Sequence, residues 1–408
     1  AYTGTTTMIR ARILWVFGLS AVFACSAAAG NGFDGNGGSG GGDDAGSHHS
    51  SGGGGGGGTL SDGGILPDGG GGTLDDGSAP TSRITCGSSF CRGDQSCVSS
   101  SCQYTCTGTQ VPGDYATIQA AINATINGGN DVTICLKSQT YGENVSITGS
   151  VTTPKKVTIQ GISAGSTTIT SLSASGAPFS ALSVRGVAFT SNVEVSSATA
   201  PVEFVGDKLA SSSSYALYDY ASSDVTVDGC DLSASTSEYA IYFYGYYNGP
   251  AQKLTVKNSY LHDSGYGAYI STGSYSSSSI ATISFVNDTF NNDNTSIYTY
   301  GSGMPLALTY ANDLIVNSKT YGVDQEASNE TITTKDNALF GNANNYAGSA
   351  VDGAGYVKDD VKLDTSQSPP GLSAGSPARA TADSSMSPPV DFWDVARPTS
   401  PDIGAVQN

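Results

Sequence analysis

The sequence predicts an all-β solenoid of parallel strands, about nine coils long and closed at its N-terminal end by a short helix. Two observations carry this. A pattern of apolar, any, Gly/Asn/Asp, any, any, apolar returns seven times: Val184-Arg-Gly-Val-Ala-Phe189, Phe204-Val-Gly-Asp-Lys-Leu209, Val227-Asp-Gly-Cys-Asp-Leu232, Val256-Lys-Asn-Ser-Tyr-Leu261, Phe285-Val-Asn-Asp-Thr-Phe290, Tyr310-Ala-Asn-Asp-Leu-Ile315 and Thr334-Lys-Asp-Asn-Ala-Leu339. Its steps are 20, 23, 29, 29, 25 and 24 residues, a repeat period with one coil per unit. Before the repeats run alternating strands such as Asp224-Val-Thr-Val or Gln252-Lys-Leu-Thr-Val. The Gly/Asn/Asp position then reads as a sharp left-handed bend, since these residues tolerate positive φ.

Only the later three quarters of the 408 residues can build this core. Residues 1–29 hold Met8, the basic Arg10 and Arg12, an apolar run over 13–23, and then Ala24-Cys25-Ser26, the layout of an export signal. That run is too short to anchor stably across a bilayer. Val22-Phe23-Ala24-Cys25 resembles a bacterial lipobox, which implies lipidation at Cys25 and a lipid anchor at the outer membrane or cell surface. Cleavage after Ala29, with full secretion, is the alternative. Residues 30–82 are rich in Gly, Ser and Asp, too poor in apolar side chains to offset ordering, and read as a tether in which His48-His49 is a solvated pair. Within residues 83–110, Cys86, Cys91, Cys97, Cys102 and Cys106 crowd together, and Cys135 follows. In an exported chain these six read as a disulfide-rich stalk of undecided pairing, whereas Cys230 reads as a buried inert thiol. The net charge of −18 opposes nucleic acid as a partner and favours a neutral or cationic one, or a divalent metal.

Residues 111–408 form the solenoid. Ile118, Ala121, Ile122 and Ile126 share a helical face that suits a cap over open strand edges. The order Tyr115-Ala-Thr-Ile-Gln-Ala-Ala-Ile122, a strand, Tyr141-Gly-Glu-Asn-Val145 and Val157-Thr-Ile-Gln-Gly161 resembles the opening of right-handed parallel β-helix proteins of the pectin-lyase-like superfamily. At the other end, Gly375-Ser-Pro-Ala378, Val390-Asp-Phe-Trp-Asp394 and Pro401-Asp-Ile-Gly-Ala405 resemble the closing segment of bacterial β-helix repeat proteins. The resemblance implies a right-handed coil. It leaves the chemistry open, because that superfamily includes lyases, hydrolases, esterases, epimerases and adhesins.

Strand residues alternate between core and solvent. If Leu217, Ile241, Ala268 and Ile297 point inward, then Tyr218, Tyr242, Tyr269 and Tyr298 form one outward column and Tyr220, Tyr244 and Tyr300 a second. Such a ladder can stack on sugar rings and hydrogen-bond their hydroxyls, which points to a polysaccharide or cell-surface glycan as partner. The alternative is that the rings only brace the sheet, leaving a structural surface spike. Asp324 and Glu326 continue the columns and would suit a calcium ion or a cationic sugar.

For a lyase or hydrolase on this fold, the candidate bases are Arg185, Lys253 and Lys257, with Asp228 and Asp231 as calcium carboxylates and His262 with Asp263 as a second base. None lies in a recognisable lyase, hydrolase or esterase motif. Tyr141-Gly-Glu143 resembles part of the pectin methylesterase pattern without its leading Gly, so Glu143 reads as a structural turn residue.

Overall fold

The computed structural model describes residues 82–407 apart from 88, 129, 247–249 and 275–277. The export segment with Cys25, the His48-His49 pair and the tether up to residue 81 lie outside the described residues.

The chain winds as a right-handed parallel solenoid of about nine coils. From Val193 onward each coil lays down three short strands, which in the earlier coils run together in the long strands Gln139–Gln160 and Thr167–Arg185, so the repeat generates three parallel faces. The first face stacks Val193–Ser196, Tyr215–Tyr220, Tyr239–Tyr244, Tyr266–Ser271, Thr295–Tyr300, Tyr321–Gln325 and Tyr346–Gly348. On the second lie Val202–Val205, Val225–Asp228, Gln252–Lys257, Ala281–Val286, Leu306–Ala311 and Glu330–Lys335. The third carries strands such as Asp231–Ala234, Tyr260–His262 and Thr289–Asn291. In-register pairing places like residues above one another: Val184, Phe204, Val227, Val256, Phe285 and Tyr310 form one interior column, and Phe189, Leu209, Leu232, Leu261, Phe290, Ile315 and Leu339 another. These side chains are essentially buried, and their continuous stack is the hydrophobic core.

The left-handed bend falls where the repeat puts it. Gly186, Gly206 and Gly229 have φ of 60–65° and Asn258, Asn287, Asn312 and Asp336 have φ of 51–60°. The change from Gly to Asn has a packing cause. A Cβ at Gly206 would sit 2.5 Å from the Tyr104 hydroxyl, and one at Gly229 would sit 2.0 Å from the Arg92 guanidinium. Further along, side chains are wanted. The Asn258 carboxamide oxygen accepts from Arg397, and Asn287 donates to the carbonyls of Asp402 and Gly404.

The Cys-rich segment therefore lies along the solenoid and does not project as a stalk. Its three disulfides are Cys86–Cys97, Cys91–Cys102 and Cys106–Cys135, the last tying it to the first coils. Thr109–Val111 already pairs in parallel with the strand at Val132–Leu136, so the solenoid begins two residues earlier than the sequence boundary. The C-terminal tail runs back along the same flank and meets the segment, with Gly93 N–H donating to the Trp393 carbonyl and Phe90 packing edge-on against Trp393. Cys230 is buried and free, its thiol pushed well up by burial, as an inert core cysteine should be.

The helix spans Ile118–Thr125 and buries Ile118, Ala121 and Ile122 against the first coils. Thr117 caps it with its hydroxyl, and Glu143 accepts from the N–H groups of Ile118 and Gln119 at 3.0 and 3.1 Å. Glu143 is thus structural, but it is a strand residue that neutralises a helix N-terminus, not a turn residue. No helix among the described residues is long and apolar enough to cross a membrane.

One interior column breaks the apolar rule, carrying Asp219, Thr299 and Gln325 beside Phe243 and Ile270. Asp219 stands between Val195 and Phe243 in its column, fully buried, with Ser222 as the donor beside its carboxyl. Burial pushes its pKa up to about 8, partly offset by nearby Ser222. The folded state then holds a proton that the unfolded chain releases near pH 4. Stability should fall as pH rises from about 4 to about 8. Asp219→Asn is expected to raise the thermal midpoint at pH 8.5 and leave it nearly unchanged at pH 4; an equal effect at both values would refute a buried neutral carboxyl.

Candidate functional site: a tyrosine-faced sheet

The first face carries the two expected columns. Tyr218 pairs with Tyr242, Tyr242 with Tyr269, and Tyr269 with Tyr298, whose next partner is Asp324. The second column runs Tyr220, Tyr244, Ser271 and Tyr300, so a serine interrupts it. Its last ring is 51% exposed. At the other end, Glu194 pairs with Tyr218, and carboxylates bound the main column on both sides.

A third column went unseen in the sequence. Tyr215 pairs with Tyr239 and Tyr239 with Tyr266, followed by Thr295 and Tyr321. Strict alternation would place Tyr215 on the opposite side of the strand from Tyr218. Two consecutive residues turn inward instead, Ala216 and Leu217 in one coil and Ala240 and Ile241 in the next. Both tyrosines therefore face out. The recurring Tyr-x-x-Tyr at 215, 239 and 266 is the sequence signal that could have found it.

The rings form one lattice. Along the main column, ring centroids lie 5.1 Å apart from Tyr218 to Tyr242, 5.2 Å from Tyr242 to Tyr269 and 5.1 Å from Tyr269 to Tyr298. Across columns, Tyr215 meets Tyr218 at 4.8 Å, Tyr239 meets Tyr242 at 5.0 Å and Tyr266 meets Tyr269 at 5.2 Å. These spacings lie in the favourable range for aromatic pairs. Burial, and then the neighbouring phenols, push Tyr269 up to about 12 and Tyr218 and Tyr242 upward as well. At neutral pH the hydroxyls are protonated and can both donate and accept.

The lattice ends in a groove of about 510 Å³ lined by Tyr266, Tyr298, Tyr321, Asp324, Glu326 and Asn294 among others. Tyr298 donates its hydroxyl proton to Glu326 at 2.9 Å. A smaller recess of about 140 Å³ lies beside the second column, between Tyr220, Tyr244 and Tyr246.

The candidate catalytic residues are not gathered with the tyrosines. Arg185 and Lys257 stand at the ends of second-face strands, paired to Asp94 at 3.3 Å and to Asp228 at 3.0 Å, and Lys253 pairs with Asp224. Asp228 is also held by Asn258. On the third face, His262 bridges Asp231 at 2.9 Å and Asp263 at 2.7 Å and stacks on Tyr260 at 4.2 Å. Both partners are carboxylates, and the doubly protonated imidazole can donate to both at once. Burial alone would lower its pKa; the hydrogen bonds and charges of Asp231 and Asp263 outweigh this and raise it. A base must give up its proton to act, and the two carboxylates work against that at His262. Among the described residues, the one cluster of three metal-ligating side chains is Cys86, Cys91 and Cys102, all in disulfides.

No protein-family model matches the chain, and no curated protein matches it significantly. Among solved structures, it is similar to the pectate lyase Pel9A at 12% identity, covering 74% of this chain and 96% of the other with a TM-score of 0.45. The A-module of the mannuronan C-5 epimerase AlgE6 from Azotobacter vinelandii is 14% identical over 59% of this chain and 94% of its own, with a TM-score of 0.29. A pectin methylesterase from carrot is 13% identical over 63% of this chain and 90% of its own, with a TM-score of 0.31. The fold described above rests on the strand register and not on these likenesses.

Because the raised pKa of His262 is set by Asp231 and Asp263, its contribution to stability is full below pH 6.5 and is lost as pH climbs through the raised value. In an NMR titration its imidazole is expected to titrate above 6.5, with the midpoint moving down in Asp231→Asn; a midpoint at or below 6.5 would contradict the two-carboxylate clamp.

Proposed function

We propose that this protein is an exported glycan-binding solenoid that recognises polysaccharide through the tyrosine face. The observation that carries the reading is the register itself: three columns of tyrosine aligned over successive coils, ending in a groove. Bracing one sheet does not call for phenols over aliphatic residues, whereas stacking on sugars and bonding their hydroxyls uses both parts of the side chain. Ring contacts within the lattice also hold the side chains in place before a ligand arrives, which reduces the ordering cost of binding. The disulfides fit an oxidising, extracellular setting, consistent with export and with an anchor at Cys25. The ion-paired Arg185, Lys257, His262 and Asp263 take no part in this reading.

A glycan array with the full chain, reading bound signal and released product together, tests it. Selective binding without product is expected. Tyr242→Ala and Tyr269→Ala should each weaken the bound glycan by about tenfold while shifting the thermal midpoint little. Release of unsaturated or reducing ends would favour a lyase or hydrolase, and loss of midpoint with no affinity to lose would favour a structural spike.

A further inference from the structure

The end of the ladder differs chemically from its middle. Asp324 occupies the position that a tyrosine fills in each of the four preceding coils, and it is 7% exposed. Its Oδ1 is buried without a hydrogen-bond partner, although the residue lines the 510 Å³ groove. A buried carboxylate oxygen without a donor is costly and requires a reason. Glu326 lies two residues on, exposed, holding the Tyr298 hydroxyl. Tyr266 and Tyr298, 5.5 Å apart, and Tyr321 supply aromatic walls.

We propose that this groove receives the ammonium group of an amino sugar, so that the glycan read by the tyrosine ladder is a cationic one carrying free amines. The inference rests on the glycan-binding reading of the ladder and names its ligand class. An ammonium brings hydrogen-bond donors and a positive charge. It can satisfy Asp324 Oδ1, pair with Glu326 and face an aromatic ring, and all three interactions favour a cation. Burial and the charge of Glu326 raise the Asp324 pKa, a strain that a bound cation relieves. Calcium is the other cation that carboxylates take, but it requires six to eight oxygen ligands, about the full donor set of a dedicated site. Here two carboxylates stand among phenol rings and neutral hydroxyl and carboxamide side chains, and no three carboxylates converge among the described residues. The net charge of −18 draws a polycation toward the surface as well.

The test is calorimetric titration of the full chain with a hexamer of β-1,4-linked glucosamine and with its fully N-acetylated counterpart, each with and without calcium. The free-amine hexamer is expected to bind at least about tenfold more tightly, and Asp324→Asn and Glu326→Gln should each erase most of that preference. Glu326 is exposed, so its variant keeps the test valid even if Asp324→Asn fails to fold. Tyr242→Ala should weaken both hexamers alike. Equal binding of the two hexamers, insensitive to both carboxylate variants, would overturn the ammonium site and leave the glycan reading standing. Calcium-dependent binding lost in Asp324→Asn would overturn it in favour of a metal site. Binding that depends on Asp324 but not on Tyr242 would keep the ammonium site and remove the ladder from recognition. Absence of binding to either hexamer would overturn the inference, and a silent glycan array would then remove the ladder reading too.

Discussion

Every coil depends on how the chain turns the corner from its second to its third face. The bend is made in the left-handed region and buries the N–H that follows it, a donor that would cost about 1–3 kcal/mol if left unpaired. The residue after the bend in the next coil supplies the partner. Val187 N–H donates to Asp207, Cys230 to Ser259, Ser259 to Asp288, Asp288 to Asp313 and Asp313 to Asn337. A ladder of buried side chains thus stitches each corner to the one above it. Its acids are held with raised pKa: burial pushes Asp207 up to about 8, and Asp288 and Asp313 upward too, the charge of Asp313 adding to the rise at Asp288. Cys230 sits at the same position and accepts from the Asp207 N–H through sulfur, a weak acceptor, so this rung of the ladder is a weak one.

The same corner decides what covers the flank. Where the bend is Gly, the backbone is open and Tyr104 and Arg92 of the disulfide-linked segment lie directly upon it. Where it is Asn, the carboxamides reach out to the C-terminal tail, and Arg397, drawn down to about 10 by burial, bonds Asn258 and the carbonyls of Gly404 and Ala405. The two segments flanking the solenoid thus share one of its edges according to which residue adopts positive φ. This flank is occupied by the protein's own chain, and Arg185 and Lys257 are absorbed into its ion pairs.

Local repetition made much of this legible. The spacing of Gly/Asn/Asp located the bends, and period-two alternation aligned Tyr218, Tyr242, Tyr269 and Tyr298. Alternation failed at the start of each first-face strand, where consecutive residues such as Ala216 and Leu217 both enter the core, and it hid the column of Tyr215, Tyr239 and Tyr266. Partners distant in sequence were beyond it. The clamp of His262 by Asp231 joins residues one coil apart, and the pairing of Cys106 with Cys135 spans the helix. Asp219 gave no warning, because an acid inside a strand is visible as buried only when the register is known.

The tyrosine face has a direction. Its main column begins beside Glu194, which is half-buried on the sheet surface, and ends at Asp324, whose Oδ1 is enclosed and unpaired. Rings between these ends are similar from coil to coil, so a ligand stacked on them alone could slide by one coil at little cost. An interaction that occurs once, at the terminus of the column, removes that degeneracy: only one register places a cation in the groove. In the proposed binding mode, stacking supplies area, the rigid lattice limits the entropy lost on binding, and the one enclosed carboxylate at the end of this column sets position and polarity. Contacts repeated along the solenoid favour length in a ligand, and the one that is not repeated fixes where it begins.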